Sequence, residues 1–417
     1  MRVLCAYNVN IDAVTTISSP GLSEIIQASG FKPAAMMPEM IKSPGDFLSG
    51  LLFCIKSGSG AELLVEDAGA ARFIERSFDW GLRMGGNAGN AANALSELGA
   101  EPVVNVPSLT PRQASLFYPG AKVPGPGGKT LLAPAVAARP GEDLIHFVIQ
   151  FGRGLRVTLQ EEVITSPREN RFIASYDRLN SQQYEDPDFE LYAREHIADL
   201  DGILIGGLHL ATRKETVAPR LEEIESWKVF RPDVFIHTEL GGFQRHEVAE
   251  YLVENISSDS LGMNDDELAM LERFQPGWRG IMEAARRLRE RLGIVRVCIH
   301  TKEYVASVSH GGIPPKEEIA ALTHGADVAG MLVATGKVQR SVDPSLGPNP
   351  IGLAVRDQFM RELFATGSGR GAYAIMDGDM LCIAPSLLVE NPKTVVGLGD
   401  VMTASDFFCQ VRARKGF

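Results

Sequence analysis

The residues with the clearest chemical potential lie near the end of the chain, where residues 395–400 have the sequence VVGLGD. We expect an apolar strand there, followed by a glycine-containing turn and a helix. Gly397 and Gly399 allow backbone N–H groups to approach an anion closely, and the helix adds its positive N-terminal end. Asp400 could take a proton from a hydroxyl nucleophile. This combination suits phosphoryl transfer, and the alternative is an ordinary turn whose aspartate caps a helix.

Two other polar segments follow or precede predicted elements in a way that suits a small ligand. Asn10 and Asp12 come after the first predicted strand, and open α/β sheets bind their ligands at the carboxyl ends of strands. Asp12 could accept sugar hydroxyls, although an Asx turn explains the same pattern. Gly86 and Asn87 lie in the segment GGNAGN, where small residues before a helix allow a ligand close to the backbone. Tight helix packing is the alternative there.

Carboxylates that suit a divalent cation follow a later strand and open a later helix. Glu239 ends the segment HTE after a predicted strand, and Glu267 lies in the first turn of a helix that Asn264 opens. Side chains in such places can hold Mg²⁺ next to phosphates, through water molecules. The alternative for Glu267 is structural, because the helix dipole stabilises acidic residues in a first turn.

Three other motifs do not support a site. Residues 125–130 end like a P-loop, but Val123 occupies the place of its first glycine and no strand is predicted before it. The pair Asp377-Gly378 is typical of a hairpin turn between two apolar strands. The segment 8–12 stands where a dehydrogenase would have GxGxxG, which argues against that class of enzyme.

Apolar strands and amphipathic helices alternate along the chain and must position these residues. Strand patterns occupy 2–7, 102–106, 146–151, 201–207, 233–238, 294–300, 303–309 and 372–377. Helix patterns occupy 85–100, after its glycine-rich turn, and 244–255, 264–273, 278–292 and 403–413. The alternation predicts an α/β sheet with helices on both faces.

Two stretches interrupt the alternation, and the second contains proline- and glycine-rich loops. We expect them to form one smaller lid that is inserted discontinuously into a larger core. This interpretation assigns residues 1–12, 81–112 and 196–417 to the core, and residues 13–80 and 113–195 to the lid. The length of 417 residues is sufficient for two domains.

Composition limits the partners of the protein. The net charge of −11 argues against nonspecific binding to nucleic acid or to an anionic membrane. The five cysteines are scattered without CxxC spacing, so we expect neither a zinc site nor a disulfide framework, and a cytoplasmic location fits best. No uncharged apolar run approaches the ~18 residues of a membrane span. A monomer and a small homo-oligomer are both compatible with the sequence.

Together, and in this order along nearly the whole chain, the motifs resemble those of the archaeal ADP-dependent glucokinase and phosphofructokinase family. The matching segments are NVNIDA (8–13), SGSGAE (57–62), GGNAGNAAN (85–93), IHF (145–147), PRENRFI (167–173), HTE (237–239), NDDE (264–267) and NPKTVVGLGD (391–400). The resemblance implies a ribokinase-like three-layer α/β core with a smaller discontinuous α+β lid.

The resemblance also implies roles for individual residues. The implied sugar-binding residues are Asn10, Asp12, Glu62, Gly86, Asn87, His146 and Arg171. The implied nucleotide-binding residues are Thr394, Val396 and Gly397, and the implied Mg²⁺-binding residues are Glu239 and Glu267. The implied catalytic residues are Asp400 as the base, with Gly397 and Gly399 forming a backbone anion hole.

The implied reaction is direct transfer of the β-phosphate of ADP to a sugar hydroxyl, which gives AMP, with Mg²⁺ between the phosphates. Fructose 6-phosphate is the preferred acceptor, because arginine suits bidentate phosphate binding and five arginines lie near the predicted lid: Arg153, Arg156, Arg168, Arg171 and Arg178. Glu62 instead suits free hydroxyls, so a glucokinase or a bifunctional enzyme is an alternative, as is a kinase of another sugar phosphate such as ribose 1-phosphate. A non-catalytic sensor is a further alternative, and it would need neither a base nor metal ligands.

Overall fold

A computed structural model of the chain describes residues 1–30, 36–159, 162–243, 245–394 and 396–416. Numbered in chain order, its strands are β1 (Arg2–Tyr7), β2 (Asn10–Thr16), β3 (Ala61–Leu64), β4 (Gly81–Gly85), β5 (Glu101–Val104), β6 (Val123–Pro124), β7 (Leu131–Leu132), β8 (Ile145–Phe151), β9 (Arg156–Leu159), β10 (Glu162–Thr165), β11 (Asn170–Tyr176), β12 (Gly202–Gly206), β13 (Phe235–Glu239), β14 (Ser260–Asn264), β15 (Arg296–His300), β16 (Tyr304–Ser309), β17 (Thr366–Ser368), β18 (Gly371–Met376) and β19 (Asp379–Pro385).

The helices, numbered in the same way, are α1 (Ser19–Ser29), α2 (Pro44–Ser57), α3 (Ala68–Ser77), α4 (Asn87–Leu98), α5 (Pro111–Ala114), α6 (Pro134–Ala137), α7 (Arg178–Ser181), α8 (Pro187–His196), α9 (Lys214–Phe230), α10 (His246–Asn255), α11 (Asp265–Leu271), α12 (Trp278–Leu292), α13 (Pro315–Thr335), α14 (Pro350–Leu363) and α15 (Leu398–Lys415). Of the helices within the described ranges, none combines the length and the apolar character that a membrane span requires.

The larger of two compact units comprises Met1–Val9, Gly86–Arg139 and Asn180–Phe417. Its ten-stranded sheet has the order β17-β18-β19-β16-β15-β14-β13-β12-β1-β5. The six strands from β5 to β15 run parallel, whereas β16, β19, β18 and β17 continue the sheet antiparallel. Every residue of β12 is buried, which is typical of a parallel strand covered on both faces.

Helices cover both faces of this sheet. Along β15, Val297 and Ile299 belong to one buried apolar cluster, while Cys298 between them belongs to another. Alternate residues of a strand point to opposite faces, so the two clusters lie on opposite sides of the sheet. Trp278 of α12 packs in the first cluster and Met402 of α15 in the second. The three-layer α/β architecture expected from the sequence is therefore confirmed.

The smaller unit comprises Asn10–Gly85 and Pro140–Leu179. Its five-stranded mixed sheet has the order β3-β11-β8-β2-β4, and β9 and β10 form a separate hairpin. Strand β2 pairs parallel with β8 and antiparallel with β4. The central strand β8 has an apolar sequence, IHFVIQF, in which all residues except His146 and Gln150 are buried.

The limits of the two units differ from those expected from the sequence. Residues 10–12 and 81–85 belong to the smaller unit, because β2 and β4 pair with each other in its sheet. Asn10 and Asp12 therefore lie on the strand β2 rather than in an Asx turn after β1. Residues 113–139 and 180–195 belong to the larger unit, where Phe189 of α8 joins the main apolar cluster.

Candidate active site

Asp400 lies in the first turn of α15, which begins at Leu398 after the N-cap residue Gly397. Gly397 has φ 73°, in the left-handed region that favours glycine. The strand expected before this turn is absent from the described residues 391–394 and 396–397, and Val395 lies outside the described residues. Instead, the side chain of Thr394 accepts a hydrogen bond from the backbone N–H of Val396 at 3.3 Å. The helix thus starts earlier than the expected 403, and Asp400 lies within it.

Two amide side chains hold the carboxylate of Asp400. Asn87 Nδ2 donates to Oδ1 at 2.6 Å, and Asn90 Nδ2 donates to Oδ2 at 2.9 Å. Both asparagines belong to α4, which begins after Gly86 at φ 78°. The geometry joins Asn87, which the sequence assigned to the sugar site, to the predicted base. Asn90 was not singled out from the sequence, although it lies in the same glycine-rich motif.

Close approach explains why small residues surround these groups. A Cβ atom on Gly397 would lie 2.9 Å from Nδ2 of Asn90, and one on Gly399 would lie 2.9 Å from Cε1 of His300. Neither Gly86 nor Gly397 provides a side-chain cap, so the N-termini of α4 and α15 carry no side-chain acceptor from their N-cap residue. Such helix N-termini are suited to bind anions.

The surroundings of Asp400 make its carboxylate more basic than usual. Burial and the negative charge of Glu239 raise the pKa of Asp400 to about 6, against the lowering effect of the hydrogen bonds from Asn90 and Asn87. A carboxylate with this pKa is ionised at neutral pH, yet it is a better proton acceptor than an ordinary aspartate.

Glu239 is a buried carboxylate at the end of β13. His300 Nε2 lies 2.7 Å from its Oε1, and the hydroxyl of Thr403 donates to Oε2 at 2.8 Å. Burial alone would raise the pKa of Glu239, but the charge of His300, the adjacent imidazole of His237 and the hydrogen bond with His300 together lower it to about 2. Burial alone would lower the pKa of His300, and the charge of Glu239 raises it to about 9. The sequence did not single out His300 or Thr403.

Glu267 combines a structural contact with an unusual charge state. It forms a capping box with Asn264, in which Asn264 Oδ1 accepts from the N–H of Glu267 at 2.8 Å and Glu267 Oε2 accepts from the N–H of Asn264 at 2.9 Å. Burial and the charge of Glu239 raise the pKa of Glu267 to about 7. Within the described ranges, no group of three or more His, Cys, Asp and Glu side chains is arranged to hold a metal ion.

A small recess of the larger unit is lined by the carboxylates of both Asp400 and Glu239. It has about 210 Å³ of empty space, and its lining includes Asn87, Gly206, Glu239, Asp400 and Thr403. These residues place the recess beside the carboxylates of Asp400 and Glu239.

In the smaller unit, polar side chains form a row across the sheet. Arg83, Asp12, His146 and Ser175 lie on four neighbouring strands and are paired in register. Directly paired residues point to the same face, so these side chains share one face of the sheet. Asn10 Nδ2 donates to Asp12 Oδ1 at 2.8 Å on that face. Three predicted sugar-binding residues therefore lie together, and Arg83 and Ser175 join them without having been predicted.

His146 connects this row to two further carboxylates. Its Nε2 lies 3.0 Å from Oδ2 of Asp177, and its Nδ1 lies 3.7 Å from Oε1 of Glu62. Glu62 also accepts from the hydroxyl of Ser175 at 2.5 Å. Burial alone would lower the pKa of His146, but the hydrogen bond with Asp177 and the charge of Glu62 raise it to about 9. The imidazole is therefore a cation among carboxylates at neutral pH.

The predicted arginines differ in their surroundings. Arg171 is exposed on β11, on the same face as Ser175 and roughly 13 Å along the strand from it. Arg168 Nε donates to the carbonyl of Gly58 at 2.8 Å, and Arg178 Nη2 donates to the carbonyl of Glu66 at 2.6 Å. Arg168 and Arg178 therefore hold neighbouring loops, and the geometry favours Arg171 among the three as a ligand for a phosphate.

Comparisons with known proteins agree with these features. Residues 1–409 match the family described as the ADP-specific phosphofructokinase/glucokinase conserved region. An ADP-dependent glucose/glucosamine kinase of Pyrococcus furiosus is 28% identical, with 97% of this chain and 93% of that protein covered. An ADP-specific phosphofructokinase of Methanosarcina acetivorans is 26% identical, with 98% and 93% covered. The solved structure of a hypothetical ADP-dependent phosphofructokinase from Pyrococcus horikoshii has a TM-score of 0.82 at 23% identity, covering 100% of this chain and 98% of that one, which shows a shared fold.

Proposed function

Because the chain belongs to the ADP-specific phosphofructokinase/glucokinase family, we propose that its reaction is phosphoryl transfer from ADP to a sugar hydroxyl with Asp400 as the general base. Family membership confirms the resemblance drawn from the sequence motifs, and the chain is an ADP-dependent sugar kinase. The observation that carries the role of Asp400 is its carboxylate, which two amides hold at the N-terminus of α15 and whose pKa is about 6.

The proposed mechanism assigns separate tasks to the carboxylate and to the helix. Asp400 accepts the proton of the attacking sugar hydroxyl, whose oxygen forms a bond to the β-phosphorus of ADP while the bond to the α-phosphate oxygen breaks. The N-terminus of α15, from Gly397 to Gly399, stabilises the negative oxygens of the moving phosphoryl group. AMP and the phosphorylated sugar leave, and Asp400 passes its proton to solvent. Thr394 and Val396, which shape the turn before the helix, are proposed to lie beside the nucleotide.

Mg²⁺ is the proposed cofactor, with Glu239 and Glu267 as its protein ligands. The negative charges of Glu239 and Asp400 both raise the pKa of Glu267, after the larger effect of burial, and the positive charge of His300 offsets them only in part. The residues fit the ion in this respect, because Mg²⁺ keeps several waters and needs only one or two carboxylates besides phosphate oxygens. When bound, the ion would neutralise charge on the phosphates.

Replacing Asp400 by Asn tests the role of the base. We expect Asp400→Asn to lower kcat by about 10²–10⁴-fold, because the amide cannot accept the proton, and to leave the melting temperature and ADP binding nearly unchanged. Release of AMP measures the rate. The exposed Asp343, whose carboxylate accepts from the N–H of Ser345, provides the matched control Asp343→Asn. A kcat of Asp400→Asn equal to that of the control would reject the role.

Fructose 6-phosphate is the proposed sugar, and the polar row of the smaller unit is its proposed site. Asp12, His146 and Ser175 offer acceptors and donors for sugar hydroxyls, and Arg171 offers a cation for the 6-phosphate. The phosphofructokinase of Methanosarcina acetivorans supports this choice. Glucose or glucosamine is the second candidate, because Glu62 adds another carboxylate to the cluster and the Pyrococcus furiosus relative is named for those sugars.

Two variants separate these sugars. Arg171→Ala should raise the KM for fructose 6-phosphate at least about 10-fold and leave the KM for glucose unchanged. Only fructose 6-phosphate has a phosphate group whose contact with Arg171 would be lost. Glu62→Gln should have the opposite effect: it should raise the KM for glucose and leave the KM for fructose 6-phosphate unchanged. Rates of AMP release with ADP or ATP, and with fructose 6-phosphate, glucose or ribose 1-phosphate, complete the comparison. Equal KM changes for both sugars in Arg171→Ala would contradict a phosphate contact.

We propose a cytoplasmic location on separate grounds. All five cysteines are free, and proteins of oxidising compartments more often carry disulfides. The sequence and the proposed reaction are compatible with a monomer or a small homo-oligomer.

A further inference from the structure

A buried line of polar side chains leads from β15, the last of the parallel strands, to Glu239. It starts at Arg296 of β15, which is fully buried. Arg296 Nε donates to Oε1 of Glu318 at 2.7 Å, and Nη1 lies 2.9 Å from Oδ2 of Asp406. The same Nη1 lies 3.4 Å from the hydroxyl oxygen of Ser260, which connects the arginine to the next strand.

The direction of the hydrogen bonds along this line follows from the chemistry of its members. A guanidinium group only donates, so the oxygen of Ser260 accepts from Arg296. The hydroxyl proton of Ser260 is then free to donate to Nδ1 of His237, 2.9 Å away. When Nδ1 accepts this hydrogen bond, the N–H of the imidazole ring lies on Nε2.

The other imidazole nitrogen faces Glu239. Nε2 of His237 is buried, lies 3.6 Å from Oε2 of Glu239, and has no hydrogen-bond partner among the described residues. A movement of roughly 0.4 Å would bring the pair within hydrogen-bonding distance. Gly262 of β14 leaves the space for this contact, since a Cβ atom there would lie 2.0 Å from the Oε2 atom and 2.7 Å from Nε2.

We propose that Arg296, acting through Ser260, fixes the Nε2–H tautomer of His237, and that this N–H orients Glu239. His237 is then a positioning residue that acts on the magnesium–nucleotide site through Glu239. It cannot itself be a metal ligand, because a nitrogen that carries a proton has no lone pair to donate. Glu239 would receive N–H or O–H donors from three directions: His300, Thr403 and His237. The link to magnesium rests on the proposed function, whereas the tautomer does not.

Nuclear magnetic resonance of ¹⁵N-labelled histidine tests the tautomer directly, in the protein without nucleotide. The signals that His237→Gln removes identify the imidazole. We expect the wild type to show a protonated Nε2 and an unprotonated Nδ1, and Ser260→Ala to lose this state. Ser258→Ala is the matched control, because Ser258 also has a buried hydroxyl, paired with Thr238 at 2.7 Å, outside the line. A protonated Nδ1 in the wild type, or an unchanged tautomer in Ser260→Ala, would overturn the proposal.

Binding of Mn²⁺ in the presence of ADP, followed by electron paramagnetic resonance, tests the effect on Glu239. Ser260→Ala and His237→Asn should weaken binding by about 10–100-fold, as is usual when a partner of a metal ligand is lost. His237→Gln should bind nearly as well as the wild type, because its amide can place an N–H where Nε2 lies. Equal weakening in His237→Gln and His237→Asn would contradict the donor role. If a His237 variant does not fold, the comparison of Mn²⁺ binding between Ser260→Ala and Ser258→Ala is sufficient to test the proposal.

These readouts distinguish the proposal from the proposed function. If Asp400→Asn keeps full activity, the base is misassigned, but the tautomer and the Mn²⁺ measurements remain valid. If the kinase reaction proceeds as proposed and Ser260→Ala binds Mn²⁺ as tightly as Ser258→Ala, only the positioning role of His237 is wrong.

Discussion

Removal of one amide from Asp400 should change the pH dependence of the reaction. Oδ2 of Asp400 accepts from Asn90 Nδ2 at 2.9 Å, and Asn90→Ala deletes this donor. A hydrogen bond to a charged group contributes about 1.5–3 kcal/mol. Because Asp400 is only half-buried, water replaces part of the lost hydrogen bond, and we take the lower limit. This corresponds to about one pH unit, since 1.36 kcal/mol changes a pKa by about one.

The sign of the shift follows from the proposed role of Asp400 as the base. Asp400 must be ionised to accept a proton, so wild-type kcat/KM should fall as the pH drops through about 6, the pKa of Asp400. The hydrogen bond from Asn90 stabilises the ionised form, and without it the pKa of Asp400 rises. The acidic limb of the profile should therefore move upward by about one pH unit in Asn90→Ala.

The assay is the rate of AMP release between pH 5 and pH 8, at saturating ADP and low sugar. Asn93→Ala is a suitable control, because Asn93 lies on the same helix but its Nδ2 donates to the carbonyl of Leu116 at 2.9 Å. Its acidic limb should match that of the wild type. An acidic limb in Asn90→Ala that stays in place or moves downward would refute the assignment of Asp400 as the titrating base.

Three further predictions concern the surroundings of the two polar sites. Gly397→Ala should destabilise the protein by about 1–2 kcal/mol in urea unfolding, because Gly397 has φ 73°; an unchanged unfolding midpoint would contradict this. His146 has a pKa of about 9, above its ordinary 6.5, so its stabilisation is complete below pH 6.5 and disappears as the pH rises through 9. His146→Gln should therefore lose less stability than the wild type between pH 6.5 and 9.5, and equal losses would exclude the ion pair. Thr403→Val removes the donor to Glu239 and should raise the Mg²⁺ concentration for half-maximal activity about 10–100-fold. A Mg²⁺ concentration equal to that of the wild type would contradict this prediction.

The sequence predicted the core of the larger unit well because its signals are local. The strand β12 is a short continuous apolar run and β15 has an apolar centre at residues 297–299, and each was expected within two residues of its observed ends. The Asp377-Gly378 hairpin was also correct, with φ 53° and 86° at the two residues. Such turns require positive φ angles, which Asp and Gly tolerate.

The parts that were missed depend on contacts between distant residues. His300 and Thr403 reach Glu239 across 61 and 164 residues of chain, and nothing in their local sequence indicates a carboxylate partner. The limits of the smaller unit were misplaced for the same reason. Asn10 and Asp12 follow a strand as turn residues would, and only pairing of β2 with β4 and β8 makes that segment a strand.

The polar face of α15 explains how the fold and the site depend on each other. Residues spaced three or four apart share one face of a helix, and four of them contact separate elements. These are Asp400 with the amides of α4, Thr403 with Glu239, Asp406 with Arg296, and Gln410 with Glu318.

The buried ion pairs in the deeper part of this face are not needed for stability alone. Buried ion pairs often contribute no more to the free energy of unfolding than apolar residues of the same volume. Apolar contacts, however, tolerate small rotations and shifts of a helix. The paired groups do not, since a shift by one residue turns the face by about 100° and separates Asp406 from Arg296 and Gln410 from Glu318. The buried charges thus fix the rotation of α15, and that rotation directs Asp400 toward the recess it shares with Glu239.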